Sequence, residues 1–299
     1  MDAPFLPEGS LINTAENILA TATLSALEKA FAAGKILEGR VLLCDRNLSL
    51  ILNLGGCRAV IPHEEIAFTQ DGAPCRDIAA ITRVGKAVCF VITDIREELG
   101  MTTLYLSRKE AQRRCLAEYL DTLKTGDVLR ARVTHIEPFG AFCDIGCGIT
   151  SLLSIDCISV SRISRVEDRF YVGEYIYACV RGRDDVLFGS RGRIALSHKE
   201  LLGTWEENAA YFEIGQTVAG IVRSVEDYGI FIELSPNLAG LAEYKSGVRE
   251  GQGCAVYIKN ILPEKRKIKL VLISCTPLES AVRHLDYFIT QGNVADWEY

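Results

Sequence analysis

One pattern occurs twice in this chain: Gly126, a run, then Phe139-Gly140-Ala141-Phe142, and Gly215, a run of equal length, then Tyr228-Gly229-Ile230-Phe231. Within each run the apolar residues fall mostly at alternate positions, which is the period of a half-buried strand. The two aromatics lie three apart across a glycine that frees the chain to turn or bulge. A pair of rings on the open face of a small β-barrel is what stacking on unpaired bases requires. The same rings turned inward would fill a core. A spacing that occurs twice favours the exposed arrangement.

The repeat extends beyond this motif. The second copy continues through Asp144-Ile145-Gly146, Ile149 to Leu153 and Gly173 to Ala178, and closes on Arg193-Ile194-Ala195-Leu196-Ser197. The third continues through Glu233-Leu234, Gly240-Leu241 and Gly251 to Val256, and closes on Lys267-Ile268-Lys269-Leu270. A first copy opens at Gly39-Arg40-Val41 and passes Asn53-Leu54-Gly55 and Ala59-Val60-Ile61-Pro62. It resumes at Val84 and closes on Leu104-Tyr105-Leu106-Ser107. Five short strands in each of three tandem units of roughly 65 to 75 residues predict three small closed β-barrels.

These residues resemble the S1 RNA-binding domain, an OB-fold barrel, over residues 36–275. The order of the three units, with Leu196-Ser197-His198-Lys199-Glu200 between the second and third, is similar to short, three-repeat S1-like proteins of low-GC Gram-positive bacteria. The expected fold is mainly β: three tandem five-stranded barrels of this type joined by short helices, with helical segments at both ends. The boundaries are a helical region over 1–35, a degenerate barrel over 36–107 and a linker helix over 108–122. A barrel follows over 123–198, then a linker helix over 199–211, a shortened barrel over 212–275 and a helical tail over 276–299.

The linkers rest on a local signal. Ser107-x-x-Glu110 and Ser197-x-x-Glu200 both read as capping boxes, so each barrel's last strand is expected to run straight into a helix. The first helix puts Ala111, Cys115, Leu116, Tyr119 and Leu120 on one face, to pack on a barrel. Near the N-terminus a helical stretch ends at Gly34, where glycine suits the left-handed cap. Residues 277–290 place Leu278, Val282, Leu285 and Phe288 on one helical face.

Composition narrows the function. A hydrophobic fraction of 48% and a charged fraction of 24% belong to an ordinary globular chain. No apolar run is long enough to span a membrane, and the N-terminus lacks the layout of a signal peptide. Eleven cysteines scattered through strand-like runs fit small buried hydrophobes in a reducing cytoplasm. Cys143 and Cys147 lack the CxxC spacing or neighbouring His of a zinc set, so no metal or cofactor is expected. The four histidines are dispersed, no phosphate-binding loop is visible, and no enzyme activity or small-molecule substrate is expected. The net charge is −6, yet acids and bases balance between Leu120 and Glu200, and Lys265-Arg266-Lys267-x-Lys269 makes a basic edge in the third copy. The distribution permits salt-sensitive binding of nucleic acid.

The resemblance implies a face built from the second strand's aromatics, a polar or basic residue after the third strand and a basic residue entering the last. In the second copy these fall on Phe139, Phe142, Ser154 (in the place where the family often has His) and Arg193. In the third they fall on Tyr228, Phe231 and Lys267, with Glu243 in the His place, where a carboxylate repels phosphate. The first copy departs most: Leu48 and Ile51 stand at the ring positions, although His63 keeps the His place, and it reads as a spacer or docking unit. The implied function is binding of single-stranded RNA, mRNA above all, in translation, with the small ribosomal subunit as a further partner. The alternative is a protein scaffold whose RNA contact is secondary, and exposed aromatics are what separate the two.

Overall fold

In the computed structural model, residues 5–69, 75–98, 100–183, 193–277 and 285–299 are described. Two short helices come first, α1 (Ala15–Thr21) and α2 (Leu24–Ala32). Thr14 and Thr23 start them by accepting the backbone N–H of Asn17 and Ala26, groups that have no partner inside the helix. Gly34, at φ +58°, ends the pair in the left-handed region.

The first unit contains β1 (Leu37–Arg40), β2 (Leu43–Cys44), β3 (Leu50–Leu54), β4 (Cys57–Ile61), α3 (Asp77–Ile81), β5 (Ala87–Glu98) and β6 (Met101–Ser107). Its strands run β1-β5-β6-β4-β3-β2, an opened six-stranded barrel rather than the closed five-stranded one expected. The reason is a split first strand. Val41 donates its N–H to Lys86 O and Leu42 to Ile51 O, so the chain leaves β5 for β3 between two adjacent residues. The second unit, β7 (Val128–Glu137), β8 (Gly140–Asp144), β9 (Thr150–Ser154), β10 (Tyr175–Arg183) and β11 (Ile194–Ser197), closes in the order β10-β11-β9-β8-β7. The third, β12 (Thr217–Glu226), β13 (Gly229–Ser235), β14 (Leu238–Ala242), β15 (Gly253–Leu262) and β16 (Lys267–Thr276), closes as β12-β13-β14-β16-β15. Each unit has one parallel pairing, between its third strand and its last: β4 with β6, β9 with β11 and β14 with β16. Three OB-type units result, and closure or near-closure leaves few free sheet edges.

The connectors differ from one another. Ser107 starts α4 (Arg108–Glu118) by accepting the Glu110 N–H at 2.8 Å, while the Glu110 carboxylate turns to Arg113 and Arg114. Ala111, Cys115 and Leu120 are buried in the second barrel's core. After β11, the expected helix over 199–211 is interrupted. A 3-10 turn at Lys199–Leu202 stops at Gly203, and α5 (Trp205–Ala209) starts afresh under a complete capping box of Thr204 and Glu207. Gly203 sits at φ +79°, and a Cβ there would lie 2.9 Å from the Phe288 ring, so the chain breaks where the C-terminal segment packs. Of the helix expected over 277–290, residues 278–284 lie outside the described residues, and 285–290 are irregular. That segment is held as a strap: Phe288 N–H donates to Leu201 O, Val294 N–H to Gly126 O, and Val128 N–H to Gly292 O.

Two buried polar seams join the units. At the first, Glu8 from the N-terminal segment takes Arg108 Nε at 2.6 Å, Arg83 at 3.2 Å and the Cys89 N–H at 3.0 Å, and its own N–H reaches Asp144 at 2.8 Å. Burial raises the Glu8 carboxyl, but Arg108, Arg83 and the Cys89 N–H together outweigh it and hold the group below its usual range. Burial, with Glu8 adding to it, raises Asp144. At the second seam, Arg169 from the segment after β9 meets Glu233 of β13 at 2.6 Å, both side chains fully buried. Arg223 of β12 binds the same Glu233 at 2.7 Å and Asp168 at 3.2 Å. Each of these deep charges has an opposite charge beside it, although Nε and Nη1 of Arg169 are buried without a hydrogen-bond partner among the described residues.

Candidate nucleic-acid interface

Glycine explains why the ring motif has its spacing. β7 ends at Glu137, the chain turns through Pro138 and Phe139, and β8 begins at Gly140. A Cβ at Gly140 would lie 2.4 Å from Leu153 O, and one at Gly229 would lie 2.6 Å from Ala242 O. At both places the second strand approaches the third too closely for any side chain. The aromatic before the glycine therefore stands on the turn, and the one two residues after it stands on the outer face of the strand.

The two barrels present the rings almost identically. Phe139 and Phe142 meet edge to face with centroids 6.2 Å apart and planes at 87°. Tyr228 and Phe231 do the same at 6.1 Å and 86°. Phe139 is 53% exposed and Tyr228 71%, while Phe142 and Phe231 are half-buried. Neither pair belongs to a barrel core, and large exposed aromatics at matching sites mark a surface for contact.

Around the rings the cross-strand register builds a row. In the second barrel it runs His135, Phe142, Leu152, Ala195 across β7, β8, β9 and β11. In the third it runs Ser224, Phe231, Leu241, Lys269 across β12, β13, β14 and β16. Ser154 lies two residues beyond Leu152 on β9, opposite Gly140, and is half-buried. Arg193 precedes Ala195 by two and is exposed, as is Lys267 two before Lys269. Strand alternation puts each of these cations on the outer side that carries the rings. Glu243 is exposed at the place matching Ser154, with Glu226 and Asp227 exposed beside Tyr228. The third face thus carries more negative charge than the second.

In the first unit the same row reads Leu43, Ile51, Val60, Tyr105. Leu48 sits in a tight turn at φ +61° and packs on the first core, so the two ring positions there hold aliphatics. Its aromatic comes from the last strand, with the Arg96 guanidinium 4.6 Å above the Tyr105 ring. His63 opens the 3-10 turn at His63–Glu65 and is half-buried.

Sequence reasoning missed His135, Leu152 and Leu241, and had Lys269 only as part of the third copy's basic edge. The two leucines follow from alternation once the strand ends are known. His135 does not, because a bulge between Val133 and His135 shifts the alternation and leaves Thr134 and His135 both exposed.

Residues 122–199, the second barrel with its flanking turns, match the model of the S1 RNA binding domain. Over more of its length the chain is similar to proteins named small ribosomal subunit protein bS1. It is 28% identical over 257 residues to that of Leuconostoc lactis, covering 81% of this chain and 57% of the relative. It is 25% identical over 260 residues to that of Rhizobium meliloti, covering 82% of this chain and 44% of the relative. The chain thus spans about half the length of the relatives it matches. Among solved structures, a multidomain protein with nucleic acid binding domains from Streptococcus pneumoniae covers 81% of this chain and 74% of its own, at 16% identity and a TM-score of 0.26.

Proposed function

We propose that the protein binds single-stranded RNA on the ring-bearing faces of its second and third S1-type barrels and acts in translation on or near the small ribosomal subunit. The observation that carries this reading is the duplicated exposed ring pair, held at the same distance and angle in two barrels. Each ring offers an unpaired base a stacking partner worth about 1–3 kcal/mol and tolerant of sequence. Ser154 supplies a hydroxyl beside the rings, and Arg193 and Lys267 supply charge for phosphates along the last strand. The relatives named as small ribosomal subunit proteins support the translational setting.

A duplex hides the base faces this surface would use. Binding of unstructured RNA should therefore exceed binding of duplex, and affinity should fall with salt at a slope of about −0.7 per phosphate neutralised. Phe139→Ala should weaken binding with an unchanged thermal midpoint. Equal affinity for duplex and single strand, or full affinity in a folded Phe139→Ala protein, would turn the reading towards a protein scaffold. Co-sedimentation of the native protein with small ribosomal subunits tests the cellular setting.

A further inference from the structure

The imidazole that the family pattern would place after the third strand is replaced in the second barrel by Ser154, but a different imidazole reaches the same surface from the other side. The bulge in β7 turns His135 outward directly opposite Phe142 in the strand register. The two rings lie 6.3 Å apart at 28°, an offset stack, while Phe139 meets the same Phe142 edge to face. Three rings therefore adjoin on one face. His135 is 61% exposed in its side chain, so packing does not require it. Its orientation is nevertheless held: Nε2 lies 2.8 Å from a Glu137 carboxylate oxygen. An ionised carboxylate only accepts, so Nε2 carries the proton and donates it, and the ring plane is set by Glu137 on one side and Phe142 on the other.

The third barrel provides an internal control. Its bulge falls at the matching place, between Val222 and Ser224, and the residue opposite Phe231 is Ser224, which has no ring. The two faces share their ring pair and differ by one ring at this position.

We propose that His135 is the third ring of a base-stacking platform, so that the second barrel holds one more unpaired RNA base than the third. The inference rests on the reading of these faces as RNA-binding and deepens it. The test uses the full chain and a short single-stranded oligouridylate, with the thermal midpoint measured on every variant. His135→Ala should lower affinity roughly five- to one-hundred-fold, the range for one base–ring contact, with no change in midpoint. His135→Phe keeps a ring without the nitrogens and should stay within about twofold of the parent. Ser224→His should raise affinity several-fold by giving the third barrel the missing ring. A folded His135→Ala protein that binds like the parent, while Phe139→Ala does not, overturns the platform and leaves the RNA-binding face standing. A loss in His135→Phe as large as that in His135→Ala also overturns it. If neither His135→Ala nor Phe139→Ala alters binding, the face itself is misassigned and the platform falls with it.

Discussion

Arg108 and His198 stand at the same place in the repeat, the first residue after Leu-Ser at the end of each barrel's last strand, and each anchors one end of the chain. Both are almost wholly buried. Each faces the carbonyl just past a 3-10 turn that follows the third strand: Arg108 Nη1 lies 2.9 Å from Ile66 O, and His198 Nδ1 lies 2.7 Å from Ile158 O. On its other side Arg108 takes the N-terminal segment through the Glu8 carboxylate, whereas His198 takes the C-terminal segment through Tyr287 Oη at 2.9 Å. One anchor is an ion pair and the other a neutral chain of hydrogen bonds. A carbonyl can only accept, so Nδ1 of His198 donates, Nε2 accepts from the tyrosine hydroxyl, and that oxygen in turn accepts the Tyr177 N–H at 3.3 Å. The shared geometry comes from the repeat, and the chemistry follows whichever chain end passes by.

The largest effect that would break this comparison is on the ionic anchor. Among the described residues, Arg108→Leu leaves the buried Glu8 carboxylate with Arg83 and the Cys89 N–H, and should cost about 3–5 kcal/mol of stability. Adding Glu8→Gln should recover much of that loss, because the stranded charge goes with it. Denaturant unfolding of the single and double variants decides: a double variant no more stable than the single would show that burial of the charge is not what the pair resolves.

Acid should separate the two anchors. Burial lowers the His198 imidazole to about 4, with Arg169 adding to it. A depressed histidine stabilises the fold above its unfolded value and loses that stability as pH falls towards the folded one. From roughly pH 6.5 to 4 the C-terminal anchor should therefore lose about 3 kcal/mol. The Glu8 carboxyl, held below its usual range, yields only in stronger acid, and Asp144, raised by burial, favours the folded state as pH falls. Hydrogen exchange at pH 5 should show the Phe288 and Val294 amides opening well before the Cys147 amide, which donates to Leu6 O. Simultaneous opening at both ends would erase the distinction.

A smaller change sharpens it. Tyr287→Phe removes the hydroxyl but keeps the ring that packs edge to face on His198 and Tyr177. The expected loss is about 1–2 kcal/mol, from leaving His198 Nε2 and the Tyr177 N–H without their partner. Exchange at Val294 reads it directly, and unchanged protection there would mean that the ring alone holds the strap.

Much of this architecture is legible in the sequence. Alternation and glycine spacing located both closed barrels, and the doubled ring motif located their outer faces. The anchors were not legible, although they lie inside a five-residue repeat that was read. Leu-Ser-x-Lys-Glu reads as a capping signal, and at Ser107 it is one in part. At Ser197 the serine is buried, its hydroxyl 3.4 Å from Cys157 O, and the cap moves to Thr204. The variable residue between Ser and Lys carries the long-range contact, and nothing local reveals a partner a hundred residues away. The opened first barrel was hidden for a related reason: splitting one strand at Val41 depends on which neighbour each N–H reaches, not on hydropathy.

The seam of Arg169, Glu233, Arg223 and Asp168 has a consequence for how two weak faces add up. Tethered modules usually meet a second ligand segment at a local concentration set by linker length. Here a fully buried ion pair sits where a flexible linker would be, so that concentration is fixed by the shape of the protein. Under the proposed function, an RNA too short to reach from Phe139 to Tyr228 gains nothing from the third barrel. One just long enough gains the whole avidity at once, making affinity a step in strand length rather than a slope.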